Sequence, residues 1–265
     1  MDRISAVVIT RNEARNVERC LRSLAPVVDE ILVVDSGSAD GTDAICERLG
    51  ARVVRQEWLG FGPQKNLGNR LAANEWILSV DADEALDPDL QSAIAAAKAA
   101  GLSGAYAVSR LNWYYGQYLR HGFEYPDRKV RLFPRSLAAW DGARVHESLR
   151  LGPGVAVTRL PGHLLHRAYE RLEDHVAKQD RYTTLAAQEA VARGRRGSVL
   201  RIVFGPLVTF VRAYLVKRGF LDGLHGFVLA AMHAHGTLQK HAKVRDLRRL
   251  AGAGADPASA TRSTG

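Results

Sequence analysis

Only two cysteines, Cys20 and Cys46, occur in the 265 residues, each in a segment with helical spacing. They supply neither a disulfide framework nor a zinc site, so a reducing, cytoplasmic compartment is the expectation. No uninterrupted apolar run reaches the ~20 residues needed to span a bilayer. The first residues, Met1-Asp2-Arg3-Ile4, enter a strand pattern at once, and no signal peptide is expected ahead of it. Neither a P-loop nor a G-x-G-x-x-G occurs, which leaves an ATPase or a dinucleotide enzyme unsupported. Acidic residues are missing from one long stretch, residues 190–221, in a chain whose formal net charge is +9. A basic excess of that size points to an anionic partner: phospholipid, phosphorylated glycan or nucleic acid.

What remains is globular in composition, 46% hydrophobic and 25% charged, enough for a sizeable core. Residues 4–10 form an apolar, β-rich run of the kind buried on both faces of a sheet. Asn12 is placed to cap the helix that Val17, Cys20, Leu21 and Leu24 outline. A second strand over residues 31–34 ends in Asp35-Ser36-Gly37-Ser38-Ala39-Asp40-Gly41-Thr42, and a helix follows with Gly50 as its stop. Residues 52–55 read as a third strand, 60–63 as a turn, and 64–73 as a helix carrying Lys65. Strand and helix alternate at short spacing, which predicts a parallel sheet with helices on both faces.

The fourth strand, residues 76–80, delivers Asp81, Asp83 and Glu84 to the sheet's carboxyl edge, where α/β proteins bind ligands. Carboxylates this close repel one another unless a cation lies between them, and hard oxygen ligands suit Mg²⁺ or Mn²⁺. A solvated acidic turn would carry the same residues. Pro88 to Ala100 is an alanine-rich helix stopped by Gly101. After residues 105–110 the alternation fails. Residues 111–126 are irregular and aromatic, with Trp113, Tyr114, Tyr115, Tyr118, Phe123 and Tyr125, fitting either a sugar-stacking surface or a second core. Short strands are expected at 129–133, 143–149 and 155–160, and a polar helix from 169 to 193.

In the acid-free stretch, Arg193, Arg195, Arg196, Arg201, Arg212, Lys217 and Arg218 interleave with Val, Leu, Ile and Phe, and Pro206 should break the helix. With a second apolar stretch over 223–238, this predicts two short basic, apolar helices lying on an anionic membrane surface. The same residues would also serve a helical pair packed on the remainder or a dimer contact. The tail from residue 251 reads as disordered.

Thr10-x-Asn12-Glu13, Asp35-x-Gly37-Ser38-x-Asp40-Gly41-Thr42 and Asp81-x-Asp83, in that order at three strand ends, resemble the inverting family 2 glycosyltransferases of GT-A fold. Within them, Tyr125-Pro126-Asp127, Arg131-Leu132-Phe133, Trp140-Asp141-Gly142, Val145-His146-Glu147 and Phe220-Leu221-Asp222-Gly223 are similar to lipopolysaccharide inner-core β-glucosyltransferases. Glu124 departs from that pattern, where an aromatic residue is expected before Tyr125.

The resemblance implies an α/β, GT-A catalytic domain over 1–168, with a nucleotide-sugar half (1–110) and an acceptor half (111–168). A helical, membrane-associated region over 169–250 would follow. Thr10, Asn12, Glu13 and Asp35 would line the uridine pocket, Lys65 would reach the base or a phosphate, and Asp81 would lie near ribose and metal. Asp83 would ligate Mg²⁺ or Mn²⁺, with His166 joining it and His163 as a rival. Glu147 would be the base, with Asp127 and Asp141 the other carboxylates near enough in sequence to compete. Arg131 would add positive charge at the departing diphosphate. Implied partners are a UDP-sugar, a lipid-linked or lipopolysaccharide acceptor and the cytoplasmic face of the inner membrane, with no nucleic acid. A nucleotidyltransferase of similar fold would need a glycine- and lysine/arginine-rich loop directly after the first strand to hold a triphosphate, which Thr10-Arg11-Asn12-Glu13 matches poorly. A non-catalytic basic protein binding membrane or nucleic acid is the third reading; the basic residues gather in an apolar segment, away from any aromatic β-face.

Overall fold

The computed structural model describes residues 2–142 and 147–253. They form two compact units: residues up to Trp113 with Pro126–Ala168, and Tyr114–Tyr125 with the chain from Tyr169 onward. The segment 114–125, which the sequence reading assigns to the acceptor half, is therefore built into the helical unit.

The first unit opens with β1 (Ile4–Thr10), all seven residues buried, then α1 (Val17–Leu24), β2 (Glu30–Asp35), α2 (Thr42–Arg48) and β3 (Arg52–Arg55). Next come α3 (Phe61–Leu71), β4 (Trp76–Asp81), β5 (Glu84–Leu86), α4 (Pro88–Ala100) and β6 (Ala105–Tyr114). The second unit contributes β7 (Gln117–Tyr118), after which β8 (Asp127–Pro134), β9 (Ala138–Trp140), β10 (Leu149–Leu151) and β11 (Val157–Tyr169) follow. The main sheet runs β3-β2-β1-β4-β8-β6-β11-β5. β3, β2, β1 and β4 are parallel, as alternation with helices requires. Beyond β4, where the alternation with helices gives out, antiparallel pairs enter the mostly parallel sheet: β8 runs antiparallel to β4 and β6, and β11 antiparallel to β5. Between β6 and β11 no α-helix lies among the described residues, so β8 has no crossover to bring it in parallel.

Packing explains the elements. Val17, Cys20, Leu21 and Leu24 present one buried face of α1 to the core of β1 and β4, each fully buried leucine being worth roughly 1.5–3 kcal/mol. On α3, Gly68 lies so close to Val7 that a side chain there would collide with its Cγ1. In α4, Asp87 accepts from the Leu90 amide at 2.8 Å, Pro88 fills the first turn, and Gly101 with φ +92° ends the helix.

Asn12 does not cap α1. It adopts φ +55°, its side-chain Oδ1 accepts from the Ala39 backbone amide at 2.8 Å, and its backbone N–H donates to Ser38 Oγ at 2.9 Å. It pins the loop after β2 instead, and Asn16 takes the position before α1. The expected turn at 60–63 is the first turn of α3, because Pro63 falls where its missing N–H costs nothing. Of the strand expected at 143–149, residues 143–146 lie outside the described residues; β10 begins at Leu149 and pairs with β9.

The second unit holds α5 (Leu172–Ala192), α6 (Val199–Val203), α7 (Gly205–Val211) and α8 (Gly223–Ala253). A π-turn over Arg212–Val216 and a 3₁₀ turn over Gly219–Asp222 lie between α7 and α8. α8 has 31 residues, so the expectation of two short helices holds only for α6 and α7. Tyr114, Leu119 and Leu229 form one small core and Ala187, Ala190 and Val244 another. Tyr114 is thus core and not a stacking surface. The Asp222 carboxylate receives the amides of Arg120 and His121 at 3.2 and 2.8 Å and faces His121 Nδ1 at 2.9 Å. Gln117 donates to its carbonyl, and Gly122 N to that of Lys217.

Candidate functional site

Strand register brings three predicted residues side by side. Thr10 lies opposite Asp35, and Ile9 opposite Asp81, at the carboxyl ends of β1, β2 and β4. Thr10 and Asp35 are buried, and the Thr10 hydroxyl has no hydrogen-bond partner among the described residues. Asp35 Oδ1 accepts from the amides of Gly37 and Ser38, both at 2.9 Å, which fixes the turn below it. Glu13 hangs from the loop after β1, its amide held by Thr42 Oγ1 at 2.8 Å. Burial raises its carboxyl above the ordinary value, the hydrogen bond from Asn16 opposes this, and Asp83 and Asp40 raise it further. Asn12 is exposed on the neighbouring loop.

Asp81 sits between two buried cations. Lys65 Nζ is 2.9 Å from Oδ1, and Arg131 Nη2 is 3.0 Å from Oδ2. Burial would raise this carboxyl, yet Lys65 and then Arg131 outweigh it and hold Asp81 well below the carboxylate range. Arg131 also reaches Glu84 Oε1 at 2.7 Å, and Glu84 Oε2 accepts from the Asp81 amide at 3.0 Å. Glu84 is 0% exposed; burial raises its carboxyl, with Arg131 opposing. Lys65, 3% exposed, spans from Asp81 to Glu147 Oε1 at 2.8 Å and lies 4.6 Å from the Trp140 ring centroid. Lys65 and Glu147 are 82 residues apart, and no spacing rule could have paired them.

Asp83 and His166 also converge. β11 pairs with β5 so that His166 lies opposite Glu84, beside the acidic turn. His166 Nε2 is 3.1 Å from Asp83 Oδ2, and Nδ1 is 2.7 Å from Asn112 Oδ1. With its Nδ1 proton donated to Asn112, the ring turns the Nε2 lone pair toward a carboxylate oxygen. Two acceptors at that distance call for a proton or a cation between them. Asn112, buried on β6, is a residue the sequence reading missed; its signal is a polar residue at an inward position of an otherwise apolar strand. His163 is elsewhere: its Nδ1 faces Asp87 Oδ2 at 3.2 Å, at the start of α4.

The remaining carboxylates have other neighbours. Asp127 is paired with Arg110 at 2.7 Å and Lys129 at 3.2 Å. Asp141 Oδ1 accepts from the Ser148 amide at 3.0 Å, and its Oδ2 is 3.4 Å from Arg150. Val145 and His146 lie outside the described residues.

Around the turn after β4, Lys65 meets Asp81 and Glu147, Arg131 meets Asp81 and Glu84, and Arg110 reaches Glu84 at 3.5 Å, whereas the Asp83 carboxylate lies against His166. A carboxylate beside an imidazole nitrogen suits a divalent cation. Among the described residues no group of three or more His, Cys, Asp or Glu side chains could hold an ion. Asp83 and His166 fit two positions of a hard, partly hydrated cation, whose other ligands would be substrate phosphates and water.

The profile of the family described as Glycosyl transferase family 2 matches residues 5–136. An uncharacterized glycosyltransferase of Rickettsia felis is 31% identical over 93% of this chain and 90% of its own length. The lipopolysaccharide core biosynthesis glycosyltransferase LpsC of Rhizobium meliloti is 29% identical over 90% of this chain and 93% of its own. Among solved structures, S. aureus TarS (residues 1–349) superposes with a TM-score of 0.48 at 15% identity, covering 96% of this chain and 93% of that one.

Proposed function

This chain belongs to glycosyl transferase family 2, and we propose that it transfers glucose from UDP-glucose, with inversion, to a lipopolysaccharide-core or related lipid-linked glycan. The observation that carries the reading is the meeting of Asp83 and His166, 3.1 Å apart, beside an Asp81 clamped by Lys65 and Arg131. The similarity to LpsC supports the acceptor class.

In this reading Thr10, Glu13 and Asp35 receive the uridine, the unpartnered Thr10 hydroxyl being free to bond it. Asn12 acts on the pocket through the loop it pins. Asp83 and His166 would hold Mg²⁺ or Mn²⁺, and such an ion would supply Lewis-acid positive charge for a diphosphate leaving group. Lys65 and Arg131, both buried and each paired with two carboxylates, add positive potential already in place before the reaction. Glu147 takes the proton of the attacking hydroxyl. Its contact with Lys65, 2.8 Å, holds it aimed until a diphosphate competes for the ammonium group. Asp127, engaged by Arg110 and Lys129, orients Arg110. One-step attack on an α-linked donor gives a β-linked product. The work is done at the cytoplasmic face of the inner membrane.

The test is calorimetry with UDP-glucose in the presence of Mn²⁺ or of EDTA, followed by transfer to a truncated lipopolysaccharide core. Metal-dependent binding and a β-glucosylated product are expected. Equal binding in EDTA would remove the metal, and binding of another nucleotide sugar alone would change the donor.

A further inference from the structure

We propose that residues 199–224 form a docking surface for an anionic lipid bilayer, which deepens the proposed function by giving the route to its lipid-linked acceptor. α6, α7 and the π-turn carry Leu200, Phe204, Leu207, Val211 and Leu215 three or four residues apart, a spacing that sets them on one helical face. In a water-soluble helix this face packs inward. Here it points out: Leu200 is 70% exposed, Phe204 56% and Leu207 62%. The side turned toward α8 carries small and polar residues together with Phe210 and Tyr214, whose rings pack on Phe227. Gly205 leaves room for Thr237 Cγ2, Thr209 Oγ1 lies 3.1 Å from Thr237 Oγ1, and Ala213 is buried. Val216, at the end of the π-turn, and Leu224, at the start of α8, are also exposed, at 69% and 72%.

A contiguous apolar surface of this extent marks an interaction site, and charge selects the occupant. Arg201 and Arg212 flank the stripe, Lys217 and Arg218 close it, and no acidic residue occurs from 190 to 221. A second copy of this chain meeting the face across a two-fold axis would set these cations against each other. An anionic bilayer accepts both features at once, aliphatic side chains at the acyl boundary and basic groups among the phosphates. None of the described helices is long and apolar enough to cross a membrane, so the surface lies in the interface.

The experiment floats the full-length protein with vesicles of phosphatidylcholine alone or mixed with phosphatidylglycerol. Binding to the mixed vesicles, weakened by added salt, is expected. The double variant Leu207→Ser, Val211→Ser should partition ~10-fold less or worse, with its circular dichroism and UDP-glucose affinity unchanged. Leu207→Trp should shift its emission to the blue and be quenched by brominated acyl chains on anionic vesicles only. Equal partitioning of the double variant, no binding at low salt, or a dimer that these substitutions dissociate would each overturn the proposal. Because the assay contains neither donor nor acceptor, such a failure leaves the sugar-transfer reading standing. Lost transfer with intact docking strikes that reading alone.

Discussion

The two units break opposite rules of protein packing. The first buries charge: Lys65, Arg131 and Glu84 are almost wholly inside, and Asp81 sits between two of them. The second exposes hydrophobic surface, with leucines more than half open to solvent along α6, α7 and the turn that follows. Each departure costs stability, so each needs a return. In the first unit that return is a preorganised electrostatic field; in the second it is surface left for a partner. Stability alone explains neither, and activity and membrane assays should therefore respond to different substitutions.

Asp83→Ala makes the sharpest test. It should lower turnover by ~10³-fold while leaving the melting temperature and vesicle binding close to wild type, read by steady-state kinetics, thermal denaturation and flotation. Unchanged turnover would break the electrostatic half of the comparison. Next, Glu147→Gln should lower turnover by ~10²-fold with little change in UDP-glucose affinity, because a base acts in the chemical step. Asp127→Asn should cost far less; a collapse there with near-normal activity at 147 would move the base to Asp127. Asn112→Leu leaves His166 free to choose its tautomer and should weaken Mn²⁺ affinity, measured by electron paramagnetic resonance with UDP present, by about 10- to 100-fold.

The smallest effect lies in the helical unit. His175 Nδ1 is 2.8 Å from the Tyr114 hydroxyl, its ring stacks on Tyr169, and Lys178 and His233 are nearby charges that Glu124 opposes. Burial, helped by His233, lowers its pKa from 6.5 to about 4. The native state therefore prefers the neutral ring. Its contribution is complete above pH 6.5 and is lost as the pH falls toward 4, about 2 kcal/mol in all after allowing for its partial solvation. Melting curves of the wild type and of His175→Phe should converge over that window. Parallel curves would remove His175 as the cause.

Much of the first unit was legible in the chain. β1 announces itself because a strand buried on both faces is apolar throughout, and α4 because Asp87-Pro88 opens it and Gly101 closes it. Asp81 and Asp83 were legible for the same local reason, a run of strand residues ending in acid. What was not legible is non-local. β5 is three residues long and shows no period of its own, yet its pairing with β11 is what brings His166 to Asp83. The contact of Lys65 with Glu147 is a product of the fold. In the second unit, periodicity reveals that residues 200–215 carry an apolar stripe but is silent on which way it faces. Gly205, Thr209 and Ala213, the complementary stripe, were the overlooked clue.

The Asp222 clasp has a consequence for the order of events during synthesis. Its hydrogen bonds to Arg120 and His121 join residues about a hundred positions apart, so closing this contact waits on a long stretch of translation. A ribosome that has delivered β11 has supplied every described strand of the main sheet, but the segment 117–122 still lacks its acceptor. Until residues 217–222 emerge, that segment is a tether between two strands, and Arg120 within it is an accessible target for a trypsin-like protease. The last quarter of the chain thus decides when the middle becomes ordered.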